Sequence, residues 1–158
     1  MTRVKIRIRD DTAARDRLDA EYEASSQIRM CRYALQLANH IFQLIDYPET
    51  ENEMIREAFH VNELWQSGNA RMHDVRKAAF RIHQAAKECS DGITAAALRT
   101  AGHAAASAHM KEHAMVASDY AVRVINLLYP DDMDAVRKER EWQLTALKSI
   151  PDETDTKQ

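Results

Sequence analysis

The stretch His-Met-Lys-Glu-His, which begins at His109, has the H-x-x-E-H spacing with which inverted zinc proteases hold a metal ion. On a continuous helix, His109 and His113 would share one face, and Glu112 could act as the base of a small metal-dependent hydrolase. A third ligand would have to come from a distant carboxylate such as Glu139 or Glu141. So short a match is a weak signal, so we expect no metal and no cofactor. If a metal ion did bind, His109 and His113 would be its ligands.

A third histidine, His103, lies in an alanine-rich stretch, with Arg99 and Ser107 about one helical turn away on either side. An imidazole buried in a close-packed helix needs a hydrogen-bond partner for each ring nitrogen. Two interpretations of His103 therefore stay open. It is either a hydrogen-bonded residue of a helix contact or a polar group on an interface or in a pocket.

Further candidates for partner contacts lie outside this stretch. Arg76 could pair with a carboxylate or anchor a partner, and it belongs to one flank of a predicted helix. That flank consists of His73, Arg76, Phe80 and His83. Trp65 precedes a Ser-Gly pair and is expected to plug the core at a helix end. Trp142 lies among charged residues and is the better candidate for contact with a partner.

The sequence lacks the motifs of several enzyme classes. It contains no nucleophile elbow, phosphate loop, dinucleotide fingerprint or CxxC pair, so we expect no catalytic residue and no enzyme. The formal net charge of -3 argues against a nucleic-acid partner, which would require a basic face. No apolar run approaches the roughly 20 residues that span a membrane, and the first residues lack the apolar core of a secretory signal.

The predicted state of the two cysteines favours a cytoplasmic location. Cys31 and Cys89 both lie in apolar helical stripes, which favours reduced core residues over a disulfide.

Periodicity and composition predict an all-α fold with a single domain. The chain of 158 residues has only three glycines and three prolines, which suits helices. Apolar residues recur at steps of three and four along several segments, and short loops imply mostly antiparallel neighbours. We predict a bundle of about five to six helices, near residues 26–46, 50–66, 70–89, 93–109, 112–129 and 132–149. Thr50 and Asp131 are the predicted caps of the second and sixth helices.

The division between the fourth and fifth predicted helices follows from length. Residues 93–129 carry no proline and one internal glycine, and a single helix of that length would extend about 55 Å. Because a compact domain of this size has a radius of gyration of only about 15 Å, the run should break. Lys111 and Glu112 form its most polar point, so we place the turn there. The preceding helix is almost all small residues, which predicts a close-packed central helix.

The ends of the chain differ in character from the bundle. Residues 3–9, Arg-Val-Lys-Ile-Arg-Ile-Arg, alternate basic and aliphatic side chains as a strand does, but no second strand follows. Disorder and pairing with another chain are both open for this arm, and residues 10–24 could be a solvated helix or a linker. We therefore predict an N-terminal arm over residues 1–24, a helical bundle over 25–150 and a polar tail over 151–158.

Several of these motifs together resemble a family of bacterial immunity proteins called immunity-five-like. The resemblance rests on Trp65 and Gly68, the Val-Arg-Lys-Ala-Ala run around Arg76, and the stretch AALRTAGHAAASAHMKEHAMVASDYA. The helix CRYALQLANHIFQLI is also similar, so the resemblance covers roughly residues 30–145. Its most specific part is the spacing R-x-A-G-H-x(5)-H-x(3)-H, formed by Arg99, Gly102, His103, His109 and His113. The N-terminal arm departs from the pattern of that family.

The resemblance implies a protein that binds and neutralises a cognate toxin of a polymorphic toxin system without catalysis. Its motif positions are then the candidate binding residues: Trp65, Arg76, Arg99, His103, His109 and His113. Two alternatives remain, a small metal-dependent hydrolase built on the H-x-x-E-H stretch and a homo-oligomeric helical adaptor that pairs through its arms.

Overall fold

The structure, a computed structural model, describes residues 1–152. Its described part contains seven α-helices and no strand, so the predicted all-α class is confirmed. The helices are α1 (Thr12–Glu23), α2 (Gln27–Leu44), α3 (Glu53–Gln66), α4 (Met72–Glu88), α5 (Gly92–Ala106), α6 (His113–Leu128) and α7 (Met133–Lys148). A 3₁₀ turn spans Glu49–Glu51. None of the helices in this part of the chain has the length and apolar character needed to cross a membrane.

The count exceeds the predicted five to six because residues 12–23, which the sequence leaves open between helix and linker, form α1. This helix is polar along most of its length, but it buries Leu18 completely and contacts α7. An aspartate begins it, since the Asp11 carboxylate accepts from the Ala14 backbone N–H at 3.0 Å.

The alanine-rich helix α5 occupies the centre of the bundle, where it contacts α2, α3, α4 and α6. Small side chains allow this, because a helix surface of alanine and glycine lets neighbouring backbones come close. Ala97, Ala101, Ala104 and Ala105 are almost completely buried.

The predicted break between α5 and α6 is confirmed, and buried amides stabilise it. The last carbonyls of a helix lack partners within the helix. Here the side chain of Asn62, which is fully buried in α3, donates to the Ala105 carbonyl at 2.9 Å. Gln27 donates to the carbonyls of Ser107 at 3.0 Å and Ala108 at 3.1 Å. Side chains of α2 and α3 therefore stabilise the turn in addition to its own hydrogen bonds, such as that from the His109 N–H to the Ala106 carbonyl at 2.8 Å.

Two helix starts differ from the prediction. Thr50 lies in the 3₁₀ turn instead of capping a helix, and Asn52 caps α3 by accepting from the Ile55 N–H at 3.2 Å. Likewise, Asp132 rather than Asp131 caps α7, through a 3.0 Å bond from the Ala135 N–H. Asp131 instead takes a left-handed backbone conformation, with φ of 62°. In both cases a side chain slightly later in the sequence accepts the hydrogen bond from the first turn of the helix. It lies two positions after the predicted cap in α3 and one position after it in α7.

A buried network of charges joins the two ends of the chain to α6. Arg140 of α7 is completely buried and donates to Asp119 at 2.8 Å and to Asp10 at 2.7 Å. Arg15 of α1 donates to both carboxylate oxygens of Asp119, at 2.9 and 3.0 Å. Each buried charge thus has an opposite charge and hydrogen bonds, which offsets its desolvation.

The N-terminal arm lies along α6. The side chain of Asn126 forms a pair of hydrogen bonds with the backbone of Arg9, accepting at 2.8 Å and donating at 3.0 Å. Arg123 donates to the Arg7 carbonyl at 2.9 Å. In this structure the arm therefore contacts its own bundle, while its basic residues at positions 3, 5, 7 and 9 are exposed.

Both cysteines are free. Cys31 is buried, and burial raises the pKa of its thiol to about 11, so it stays protonated at neutral pH. Cys89 is half-buried beyond the end of α4.

Candidate functional site

Four histidines come together where α4, α5 and α6 meet. We use the name histidine cluster for His83, His103, His109 and His113 with the side chains of Arg99 and Tyr120 that contact them. His83 lies on α4, His103 and Arg99 on α5, His113 and Tyr120 on α6, and His109 in the turn between α5 and α6.

The ring of His103 lies at the centre of this cluster. Its centroid is 4.6 Å from that of His83, 5.2 Å from that of His113 and 5.3 Å from that of Tyr120. The His109 ring contacts the cluster only through His113, at 5.8 Å. The histidines of the motif between Arg99 and His113 therefore lie in contact with one another in the structure.

Gly102 allows α4 and α5 to approach at this point. A Cβ atom added to Gly102 would lie 2.6 Å from Cε1 and 2.7 Å from Nε2 of His83, which is shorter than real Cβ contacts. Glycine therefore accommodates the His83 imidazole directly against the α5 backbone.

The hydrogen bonds determine which nitrogens carry protons. Arg99 Nη1 lies 3.0 Å from His83 Nδ1, and a guanidinium can only donate, so His83 Nδ1 must accept and carry no proton. His103 Nδ1 and His113 Nδ1 lie 3.0 Å apart, so one of them must donate to the other. Both bonds require His83 and at least one of the other two imidazoles to be neutral.

The surroundings favour the same neutral state. Burial lowers the pKa of His83 to about 4, with the Arg99 guanidinium adding to the effect. Burial also lowers the pKa of His103 to about 3, and the neighbouring His83 and His113 contribute. The pKa of His113 is lowered by burial and by His109. At neutral pH His83, His103 and His113 are therefore uncharged imidazoles, and they lie beside one arginine.

A small cavity of about 300 Å³ opens beside the cluster. The N-terminal arm forms one wall, and Lys5 of the arm pairs with Glu112 at 3.2 Å. The lining residues are Lys5, Ile6, His103, Met110, Glu112, His113, Val116 and Tyr120. These side chains can exchange hydrogen bonds with a ligand, but they include no serine or cysteine that could act as a nucleophile.

The zinc interpretation depends on a continuous helix through residues 109–113, and the structure has a turn there. His109 precedes α6, whereas His113 is its first residue. Among residues 1–152, no group of three or more His, Cys, Asp and Glu side chains is arranged to hold a metal ion. Glu112 instead pairs with Lys5.

Two of the predicted binding residues lie outside the cluster. Trp65 is half-buried at the end of α3, where it packs on the small apolar cluster of Cys31, Val75 and Ala108. Arg76 is exposed on α4.

The sequence assigned no site to His83 or Tyr120, although both contact His103. Tyr120 follows His113 by seven residues, which places the two on one face of a helix. This spacing could have predicted that Tyr120 lies near His113. Nothing in the sequence brings His83 to Arg99 and His103, because that contact depends on how α4 packs on α5.

A second and larger cavity lies between α2 and α7. We name this cavity of about 590 Å³ the α2–α7 hollow. On its wall the ring of His40 stacks on that of Trp142, with centroids 3.6 Å apart and planes 8° from parallel. His40 Nε2 lies 2.7 Å from Oε1 of the buried Glu139, whose other oxygen accepts from Gln143 at 2.9 Å. The remaining lining includes Leu44, Ile125, Tyr129, Asp132, Asp134, Ala135, Lys138, Glu141 and Thr145.

The chain is similar to a family of known proteins. A family model described as "Imm-5 like putative immunity protein" matches residues 20–150, and this range contains both the histidine cluster and the α2–α7 hollow. No curated protein and no solved structure matches the chain.

Proposed function

Since the chain belongs to the Imm-5-like family of immunity proteins, we propose that it binds a cognate bacterial toxin and neutralises it in the cytoplasm by occlusion. The observation that carries this proposal is the family match, which covers residues 20–150 of 158. The toxin would be a protein of a polymorphic toxin system, and binding would cover the surface through which that toxin acts.

The chemistry of the histidine cluster supports neutralisation without catalysis. His103 and His113 bond each other through Nδ1, His83 Nδ1 accepts from Arg99, and no serine or cysteine lines the cavity beside them. Groups that must stay neutral to keep their hydrogen bonds are suited to holding three helices in one arrangement. We therefore assign Arg99, His103, His109 and His113 a structural role at the turn between α5 and α6.

The two remaining motif positions have different parts in this proposal. Trp65 packs at the end of α3 and would stabilise that end of the bundle. Arg76 is exposed on α4 and stays available for contact with an acidic group of a partner.

Co-expression in bacteria tests the proposal. The toxin domain encoded beside this gene is expressed from an inducible promoter, together with this chain or with an empty vector. We expect growth to be restored only when this chain is present. Equal killing in both strains would overturn the proposed function.

A titration of the purified proteins separates occlusion from catalysis. An occluding protein consumes one binding site for each toxin molecule, so residual toxin activity should fall linearly and reach its minimum near equal concentrations. If a small fraction of one equivalent abolished the activity over time, the chain would be an enzyme acting on the toxin, as the hydrolase alternative requires.

A further inference from the structure

The α2–α7 hollow continues into a second hollow across one exposed leucine. Leu44, at the end of α2, lines both cavities, and 39 % of its surface is exposed. The second cavity, of about 420 Å³, lies between the end of α2 and the start of α5, with Tyr47 and Leu128 in its lining. We name the two together the double groove. Because the two hollows share a rim residue, they form one surface that is wider than a pocket for a single small molecule.

The double groove is apolar at its floor. Ile125 and Trp142 line the larger hollow, and Tyr129 at its rim is 47 % exposed. Contiguous exposed apolar side chains mark sites of protein contact, and tryptophan and tyrosine are the residues that most often dominate binding energy there.

The rim of the double groove is acidic. Six carboxylates line the two hollows, against one lysine, Lys138. They are Asp46, Asp91, Asp132, Asp134, Glu139 and Glu141. Four of them have internal partners, since Asp91 and Asp132 cap helices, Glu139 bonds His40 and Asp134 pairs with Arg137. Arg137 balances the charge of Asp134, but the other five carboxylates outnumber Lys138, so this surface carries a negative potential that attracts a basic partner and repels an acidic one.

The wall beside Trp142 is fixed before any partner arrives. The indole stacks on His40, His40 is bonded to Glu139, and Glu139 is bonded to Gln143. An aromatic surface whose rotamer is already held loses little conformational entropy when it is covered.

We propose that the double groove is the surface that docks the cognate toxin, through a basic segment that inserts an apolar side chain beside Trp142. This inference rests on the proposed function, because it names the surface on which toxin binding occurs. A second copy of this chain fits less well, since its conspicuous basic segment is the N-terminal arm, which already lies along its own α6.

A charge placed on Leu44 tests the proposal. Leu44→Arg puts a cation on the rim shared by both hollows, and Phe80→Arg makes a comparable change on α4, where Phe80 is 61 % exposed and lines neither hollow. The probe is the purified toxin domain encoded beside this gene, and binding is measured by calorimetry. We expect Leu44→Arg to weaken binding by about 30-fold or more, as loss of a central contact does, and Phe80→Arg to bind as the unaltered chain does.

A second variant keeps the test valid if Leu44→Arg lowers the melting temperature. Glu141→Lys reverses a charge at an exposed position of the rim, and Glu63→Lys, on α3, is its matched control. We expect Glu141→Lys, but not Glu63→Lys, to slow association several-fold at low salt, with the difference shrinking as NaCl is added.

The outcomes separate this inference from the proposed function. If the unaltered chain neither binds the toxin domain nor protects cells, the proposed function fails. If it does both, while Leu44→Arg and Glu141→Lys bind as tightly and as fast as their controls, only the docking surface is overturned. If the chain is a dimer that Leu44→Arg converts to a monomer with unchanged toxin binding, the groove holds a second copy and the proposal is likewise overturned.

Discussion

A single glycine controls how closely two helices approach in the histidine cluster. We expect Gly102→Ala to lower the free energy of unfolding, because its Cβ would meet the His83 ring at 2.6 Å. Overpacking costs roughly 1–3 kcal/mol, and the better helix propensity of alanine returns about 1 kcal/mol. Urea unfolding of Gly102→Ala should therefore give a net loss of about 1 kcal/mol.

The same substitution should change sign when His83 is removed. In a His83→Ala background the methyl group meets no ring, so Gly102→Ala should raise the free energy of unfolding by about 1 kcal/mol. Gly92→Ala is the control, since a Cβ there meets nothing within 4 Å. A loss of the same size in both backgrounds would show that His83 is not the cause.

The buried imidazoles predict a dependence of stability on pH. The pKa is lowered to about 4 at His83 and to about 3 at His103, whereas the unfolded chain takes up these protons near pH ~6.5. The unfolded chain then binds more protons below that pH, so the free energy of unfolding should fall as the pH is lowered from about 6.5 towards 4. Above about pH 7 these two groups should contribute no pH dependence.

Urea unfolding at several pH values measures this slope. His103→Gln removes one of the two groups, so its stability should fall less steeply than that of the unaltered chain between pH ~6.5 and ~5, before most carboxylates titrate. His73→Gln, at an exposed position on α4, should keep the original slope. Identical slopes for His103→Gln and the unaltered chain would contradict the prediction.

Individual residues were predictable from the sequence where local spacing determines the contact. His103 and His113 lie within one turn-containing segment, and the structure brings their rings into contact. The contact of His83 with Arg99 joins α4 to α5, and no spacing within either helix predicts it. The pairing of His40 with Glu139 spans α2 and α7 and escaped prediction for the same reason.

At the scale of helices, α7 depends on one buried arginine. Arg140→Met should lower the free energy of unfolding by roughly 3–5 kcal/mol, because it leaves the carboxylates of Asp10 and Asp119 without this cation. Arg137→Met is the control on the same helix. Arg137 also pairs with two carboxylates, Asp11 and Asp134, but solvent screens these pairs, so its loss should destabilise the protein much less than the loss of Arg140.

Chemical denaturation of the two variants under the same conditions measures the difference. Similar losses for Arg140→Met and Arg137→Met would mean that burial of the Asp10–Arg140–Asp119 set adds nothing to the stability of the bundle.

Helix positions followed from the sequence better than helix starts did. The split between α5 and α6 was predicted from chain length and the size of a domain, and that argument requires no knowledge of the Asn62 and Gln27 contacts that stabilise the turn. The starts of α3 and α7 were wrong by one or two residues, because several neighbouring side chains can serve as caps and the geometry of the loop selects one. Helix α1 stayed undecided because its apolar stripe has only three residues, Ala14, Leu18 and Tyr22, within a strongly charged segment. The rest of its buried face is charged, since Arg15 pairs with Asp119.

At the scale of the whole molecule, the N-terminal arm should act within one chain. Deletion of residues 1–9 removes the hydrogen bonds of Asn126 and Arg123 to the arm, so the melting temperature should fall. The elution volume in gel filtration should match that of a monomer with and without the deletion, because the arm is already occupied by its own α6. A dimer that dissociates on deletion would instead support the homo-oligomeric adaptor.

Family and fold class could be predicted for the molecule as a whole, since both depend on patterns that run along the chain. The double groove could not, because it forms where the end of α2 meets parts of α5, α6 and α7 that are distant in sequence. Of the residues on that surface, the sequence indicated only Trp142, because this tryptophan lies among charged residues.

The buried charge network of Asp10, Arg15, Asp119 and Arg140 determines when a newly synthesised chain can finish folding. Asp10 and Arg140 are separated by 130 positions, and α7 is synthesised after the other six helices of residues 1–152. At about 5–20 residues per second, the N-terminal part waits roughly 10 s for the arginine that neutralises it. The charge network therefore cannot form until α7 has been synthesised, and until then Asp10 and Asp119 lack the guanidinium that pairs with both.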